Sequence, residues 1–274
     1  MQIIHTLSEL RERLKLFRHP SVVPTMGNLH AGHIALVEAA KPLGDVTLAT
    51  VFVNRLQFGP NEDFDTYPRT LQDDCDKLEA VGCDIVFAPS EKELYPQPQT
   101  FLIQPPPELA NILEGEFRPG FFTGVATVVM KLLSATQART AVFGKKDYQQ
   151  LMVIRQMVQQ FAMPVEIVGI DTRRAEDGLA MSSRNGYLNA EERRQAVLLS
   201  QCLKTVADGI RSGRSDYAAL EAQAMSALAS AGWKPDYVVA RRRVDLQAPQ
   251  PGDALVVLAA AKLGNTRLID NLEV

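Results

Sequence analysis

The sequence predicts an α/β protein: a Rossmann-like, doubly wound parallel sheet followed by a smaller C-terminal α+β region. Three observations predict it. Short apolar segments alternate with longer helical patterns through about residue 171. Residues 46–54 (VTLATVFVN) form a β-branched apolar run, the composition of a strand covered on both faces. The segments richest in Gly, His and Lys stand directly after predicted strands, where open α/β sheets bind their ligands.

Taken in order, residues 22–24 read as a short strand, followed by a Gly-containing turn and a helix over 32–40. After strand 46–54 come a helix over 69–81, a strand over 84–88 and a further strand over 101–104. An apolar helix over 125–137, a strand over 141–143, a helix over 148–161 and a strand over 165–170 complete the series. Right-handed crossovers then give a mostly parallel sheet. Beyond about residue 176 the texture changes to Ala-rich helices over 190–212 and 217–231. Strands over 236–244 and 254–261 and a short strand or tail over 266–274 follow. The expected division is therefore 1–176, the Rossmann-like domain, and 177–274, a smaller α+β domain.

Composition narrows the function. The 274 residues are 46% hydrophobic and 22% charged, with a formal net charge of −3. Such a balance lacks the basic footprint of a nucleic-acid binder, so an anionic substrate requires a locally basic site. The three cysteines, Cys75, Cys83 and Cys202, are odd in number and form no CxxC pair. They read as small buried hydrophobes in a reducing compartment rather than a disulfide framework or zinc site. The N-terminal segment has neither the basic region nor the apolar core of a signal peptide, and no apolar run reaches the roughly 20 residues of a membrane span. The expectation is a cytoplasmic protein with no nucleic-acid or membrane partner.

Three segments carry chemistry. The first is PTMGNLHAGH over 24–33. His30 and His33, three residues apart at a helix start, share one face, and Gly27 and Gly32 let backbone approach a ligand. The helix N-terminus adds N–H donors and positive potential, so two imidazoles there suit a reacting phosphate. An isolated HxxH also reads as a surface pair or part of a metal site. The strand-to-helix setting, the two glycines and the lack of a third His or Cys ligand turn this one toward nucleotide. The second segment, FGKKDYQQ over 143–150, supplies Lys145 and Lys146 as cations for phosphate oxygens. Its Asp147 can cap a helix or accept from a ribose hydroxyl or a magnesium-bound water. The third, GLAMSSRNG over 178–186, offers Ser182 and Ser183 as donors and Arg184 as a planar fork, or else is a Ser-rich linker. Neither a Walker A sequence nor GxGxxG occurs, so a phosphate site must be assembled from these dispersed segments. Asn54 and Gln57, at the end of the second predicted strand, can hydrogen-bond a small hydroxy acid. Arg118, before the apolar helix, offers a further cationic contact; turn chemistry explains either position equally well.

In this order the segments resemble the pantoate–β-alanine ligase (pantothenate synthetase) family over essentially the whole chain. The quoted motifs are joined by VFVNxxQFGPNEDFDTYPRT, FRPGxFxGVATVVxKLL and the terminal TRLIDN. The HxGH class also holds nucleotidylyltransferases and class I aminoacyl-tRNA synthetases, which share the adenylation logic. The resemblance implies a Rossmann-type N-terminal domain, a C-terminal lid, a homodimer, and ATP with Mg²⁺ as co-substrate, the metal entering with the nucleotide. It implies ATP contacts from Met26, Gly27, Asn28, Leu29, His30, Ala31, Gly32 and His33, and from Gly144, Lys145, Lys146 and Asp147. Met181, Ser182, Ser183 and Arg184 belong to the same set, with Arg173 contacting adenine through backbone. His33 is implied as proton donor, with His30, Lys146, Ser182, Ser183 and Arg184 beside it in catalysis. Gln57 and Gln150 are implied to hold pantoate, Gln57 also lying near the β-alanine site.

Some positions depart from the family pattern. Arg55-Leu56 replaces Pro plus a small or medium residue, Phe121 stands where His is common, Thr123 where Arg often is, and Lys145 where Glu is usual. The run Arg241-Arg242-Arg243 is likewise unexpected and reads as a solvated edge strand. Two rival functions fit parts of the pattern: a nucleotidylyltransferase that keeps the nucleotide on its product, and a non-catalytic adenine-nucleotide sensor. A neutral amide pocket around Gln57 and Gln150 argues against the first. The joint presence of His30, His33, Lys146 and the Ser-Ser-Arg segment argues against the second.

Overall fold

The computed structural model describes residues 1–60 and 62–274; Asn61, within the NEDF stretch of the quoted motif, lies outside the described residues. The chain folds into two compact units. One comprises Met1–Gly144 with Gln150–Asp171, the other Lys145–Gln149 with Thr172–Val274.

The first unit opens with β1 (Gln2–Ile4), α1 (Leu7–Leu14), β2 (Pro20–Thr25), α2 (Ala31–Ala40), β3 (Val46–Val51), α3 (Leu71–Ala80) and β4 (Ile85–Phe87). Three single-turn helices follow, α4 (Glu91–Leu94), α5 (Pro107–Ala110) and α6 (Glu114–Phe117). Then come α7 (Phe121–Thr136), β5 (Thr140–Gly144), α8 (Tyr148–Gln160) and β6 (Glu166–Ile170). The strands form one parallel sheet in the order β1-β4-β3-β2-β5-β6. From β2 the chain winds outward through β3 and β4, then returns to β2's other side as β5 and β6. The sheet is thus doubly wound, with its switch point between β2 and β5.

Pairing at that point is uneven. β2 matches β3 at six positions, Pro20↔Val46 through Thr25↔Val51, but matches β5 only at Ser21↔Thr140 and Val22↔Ala141. Pro24 follows, and its lack of an N–H removes a ladder donor just where the two strands part. The carboxyl end of β2 therefore borders a crevice. Val22, Val23, Leu48, Ala49, Ala141 and Val142 are fully buried, as expected for strands sandwiched between helices.

The second unit packs α9 (Ala190–Gln195), α10 (Val197–Arg211) and α11 (Tyr217–Ser230) with an antiparallel sheet β7-β8-β9, formed by Lys234–Arg242, Leu255–Leu263 and Thr266–Glu273. Its core holds Leu199, Leu203, Val206, Leu228, Trp233 and Val257. The architecture is the expected Rossmann-like sheet with a smaller α+β region.

Several details differ from the sequence reading. β1 and α1 are additional, although Thr6 caps α1 from Glu9 N and Leu7, Leu10 and Leu14 hold helical spacing. Residues 101–104 form no strand: Phe101 is 90% exposed, Ile103 N–H bonds Thr127 Oγ1, and three prolines follow. The helix predicted over 190–212 breaks into α9 and α10 at Ala196. Arg241 and Arg242 do end edge strand β7, with Arg243 just beyond it, but the run is half-buried and its last two residues are ion-paired. Arg242 Nε donates to Asp245 at 3.0 Å, and Arg243 pairs with Glu273 at 2.9 Å. No helix among the described residues is long and apolar enough to cross a membrane.

Candidate active site

Within the first unit, the 26–33 segment leaves the carboxyl end of β2 as a tight turn, with Gly27 at φ 84° and Asn28 at φ 50°. Any other residue at position 27 would be strained by the positive φ, and its Cβ would crowd Asp74 Oδ2 and Val51 Cγ1 at 3.0 Å. Asp74, fully buried on α3, accepts from Asn28 N at 2.9 Å, Leu29 N at 2.7 Å and Thr70 Oγ1 at 3.2 Å. Lys77, one turn further along, donates to Leu29 O at 2.9 Å. Helix α3 thereby grips the turn from both its donor and its acceptor side. Sequence reasoning missed this clamp, whose only signal was a carboxylate inside a predicted helix.

His30 is not in the helix, as its spacing suggested, but is its extended N-cap (φ −120°, ψ 173°). Its Nδ1 accepts from Gly32 N at 3.1 Å, while His33 Nδ1 accepts from His30 N at 3.3 Å. The two imidazoles thus build a capping box usually made by Ser and Glu. Their ring centroids lie 4.0 Å apart. Because each ring accepts through Nδ1, a neutral imidazole carries its proton on Nε2. The cap therefore presets both rings as Nε2–H donors at a helix N-terminus, the arrangement suited to growing negative charge.

Asn54 and Gln57 meet in the same unit. Asn54 is 1% exposed, and its Nδ2 donates to Gln57 Oε1 at 3.1 Å and Gly124 O at 3.2 Å. Tyr95 Oη donates to Asn54 Oδ1 at 2.9 Å. Both amide protons of Asn54 are spent inside the protein, one of them on Gln57, which leaves its amide nitrogen no proton for the hydroxy acid that the sequence reading assigned to it. Gln57 Nε2 lies 3.1 Å from Met26 Sδ. Gly124 lets α7 lie directly on this turn, since a Cβ there would fall 2.2 Å from Leu56 O. Arg118 likewise turns inward: it forks onto Glu62 with two bonds of 2.6 Å, donates to Gln57 O at 3.2 Å and stands 3.6 Å from the Phe121 ring centroid. Arg55 instead reaches the Phe64 ring at 3.9 Å and Glu91 at 3.3 Å, with its side chain 58% exposed. Gln150 is half-buried on the first turn of α8.

In the second unit the two lysines differ. Lys145 Nζ is held by Glu273 at 3.1 Å, a carboxylate shared with Arg243 and with Tyr148 Oη at 3.1 Å. Burial raises the Tyr148 hydroxyl's pKa above its ordinary value, keeping it a donor. Lys146 Nζ lies 3.4 Å from Asp147 Oδ2. Lys145 is thus committed to an internal ion pair, which leaves Lys146 as the better candidate for a phosphate. Arg173 is exposed and its carbonyl accepts from Met181 N at 3.0 Å. Ser182 caps the one-turn helix 183–187 by accepting from Arg184 N at 3.3 Å. Met181, Ser183 and Arg184 are half-buried beside it.

The comparisons agree with one another. A family model described as pantoate-beta-alanine ligase matches residues 2–273. A pantothenate synthetase from Verminephrobacter eiseniae (strain EF01-2) is 60% identical over 279 residues, covering the whole of both chains. The crystal structure of pantothenate synthetase from Thermus thermophilus superposes with a TM-score of 0.95 at 42% identity, over 100% of this chain and 99% of that one. A pantoate-beta-alanine ligase from Francisella tularensis, crystallised with beta-gamma ATP and beta-alanine, gives 0.85 at 35% identity, over 100% and 97%. By sequence, by fold and by the motif-bearing segments that its two units hold in place, the chain belongs to the pantoate–β-alanine ligase family.

Proposed function

We propose that the protein joins pantoate to β-alanine at the expense of ATP, through a pantoyl adenylate. A pantoate carboxylate oxygen attacks the α-phosphorus of ATP, and pyrophosphate leaves. The β-alanine nitrogen then attacks the acyl carbon of the mixed anhydride. AMP departs with the electrons of the acyl–oxygen bond, and the amine proton is lost to give pantothenate. The observation that carries this reading is the imidazole capping box, which presents two Nε2–H donors at the α2 N-terminus.

Little covalent chemistry is asked of the protein. Holding carboxylate and α-phosphate in line supplies on the order of several kcal/mol, and charge stabilisation a few more. His33 acts as proton donor to the leaving pyrophosphate, with His30, Lys146, Ser182, Ser183 and Arg184 on the phosphate oxygens. Backbone over 26–33 and 144–147, with Met181 and Arg173, cradles the nucleotide. Gln57 and Gln150 hold pantoate, while Asn54 acts from behind Gln57. Mg²⁺ is part of the ATP substrate and screens its phosphates, and Asp147 is the carboxylate beside Lys146 able to accept from a metal-bound water. The C-terminal domain, 177–274, serves as a lid that keeps water from the hydrolysable anhydride. The working form is a cytoplasmic homodimer.

The test is release of AMP and pyrophosphate from ATP·Mg²⁺ and pantoate, with and without β-alanine. Sustained AMP release that requires both co-substrates supports the ligase. Pyrophosphate without β-alanine-dependent AMP supports a nucleotidylyltransferase, and an ATP-binding protein that releases neither is a sensor.

A further inference from the structure

The terminal TRLIDN motif falls on β9, outside every role assigned above. Asn271 on that strand is 5% exposed, and its Nδ2 donates to Lys145 O at 2.8 Å and to Lys146 O at 2.7 Å. Those two carbonyls belong to the peptide planes on either side of the Lys146 Cα. A rigid peptide plane leaves a residue only φ and ψ, so pinning both planes fixes the direction in which the Lys146 side chain departs.

The preceding residue grips a different segment. Asp270, 4% exposed, accepts both terminal nitrogens of Arg174 at 2.7 and 2.9 Å. Arg174 also donates to Gly178 O at 3.1 Å and Asn271 O at 3.0 Å. The hairpin it stiffens closes with a bridge between Arg174 and Ala180 and runs straight into Met181 and Ser182. Neighbouring residues of a strand face opposite sides, which lets one dipeptide serve two segments.

We propose that Asp270 and Asn271 are positioning residues for the adenylation step. Asn271 sets Lys146, and Asp270, through Arg174, sets the approach to Met181 and Arg184. The inference rests on the reading that Lys146 acts on the phosphates of ATP. Asn is suited to its place because one amide nitrogen carries two N–H groups, one for each carbonyl. An Asp of the same shape would offer none and would set a carboxylate against two carbonyl oxygens.

The experiment is a double-mutant cycle between Asn271→Asp and Lys146→Ala, read as the steady rate of pyrophosphate release from ATP·Mg²⁺, pantoate and β-alanine, with thermal melting alongside. Asn271→Asp is expected to lower kcat about 100-fold, the cost of a catalytic group about 1 Å out of place, with the KM for β-alanine unchanged. In the Lys146→Ala background the same substitution is expected to remove little further activity, since the group it positions is gone. Asn271→Ser, which keeps one donor, is expected to fall between wild type and Asn271→Asp and carries the cycle if the latter does not fold. A folded Asn271→Asp enzyme at the wild-type rate, or losses that multiply undiminished in the double variant, overturns the proposal. A fully active Lys146→Ala enzyme overturns it along with the reading of Lys146. An inert Lys146→Ala enzyme beside an active Asn271→Asp enzyme removes the positioning role alone.

Discussion

An amide side chain can present either its oxygen or its nitrogen to a substrate, and at Gln57 the choice is made by Asn54. With Gln57 Oε1 accepting from Asn54 Nδ2, the Nε2–H₂ end is the one turned toward Met26, and that end donates to oxygen-rich ligands. Tyr95 Oη holds Asn54 in turn. Tyr95→Phe should leave Asn54 Oδ1 buried without its donor, at a cost of about 1–3 kcal/mol. The kinetic mark expected is a raised KM for pantoate with the KM for ATP unchanged; equal changes in both would exclude the relay. Lys146→Ala should sharply slow adenylation while leaving the melting temperature near wild type, because that side chain acts on charge rather than packing. His33→Ala should slow it likewise, with about 1 kcal/mol of stability lost because His30 N loses its acceptor. Wild-type rates in either folded variant would remove that residue from the mechanism. At this scale the sequence showed Asn54 and Gln57 as polar groups ending a strand. It could not show which of them faced inward, since the deciding partner, Tyr95, is 41 residues away in the chain.

Among the elements, α2 and its incoming turn owe their geometry to α3. Asp74→Ala removes the acceptor for Asn28 N and Leu29 N, two backbone donors whose partner comes from neither a helix ladder nor the sheet. The expected cost is about 2 kcal/mol or more, seen as a lower denaturant midpoint, together with a loss of ATP affinity as the His30 cap loosens. A variant stable to denaturant yet unable to bind ATP would mean that the clamp serves the ligand alone. Gly124→Ala tests the other wall, for its Cβ would fall 2.2 Å from Leu56 O. Backbone must move there, so the loss should be concentrated in pantoate binding, measured as KM, with ATP binding retained. The elements themselves were legible because hydrophobic period and strand composition follow directly from burial on a doubly covered sheet. β1 was not, because its three residues leave too short a span for any period to register. The apolar residues 101–104 read as a strand because composition cannot tell whether a neighbouring strand exists to pair with.

For the molecule as a whole, the three cysteines report separately on its two units. Cys75 and Cys83 lie in the core around β2, β3 and α3, and Cys202 lies in the core of the second unit. Native protein should therefore show no rapidly reacting thiol, and denaturant should release either all three together or two and one in separate steps. The second pattern would establish that the units unfold independently; the first, that they unfold as one. Cys83 adds a pH dependence whose sign is fixed by its surroundings. Burial raises its thiol from an ordinary value near 9.0 to about 11. The unfolded chain thus loses this proton at lower pH than the folded one, so the stability it contributes is complete below about pH 9 and falls away as pH rises toward 11. Replacing Cys83 with Ala removes that linkage at the cost of a small packing loss. In urea titrations at about pH 8 and about pH 10.5, either side of the unfolded thiol's titration, the fall in midpoint should be smaller for Cys83→Ala than for wild type. An equal fall in both would mean that the thiol titrates as if solvated, and that the sheet core around it opens far more readily than its burial implies.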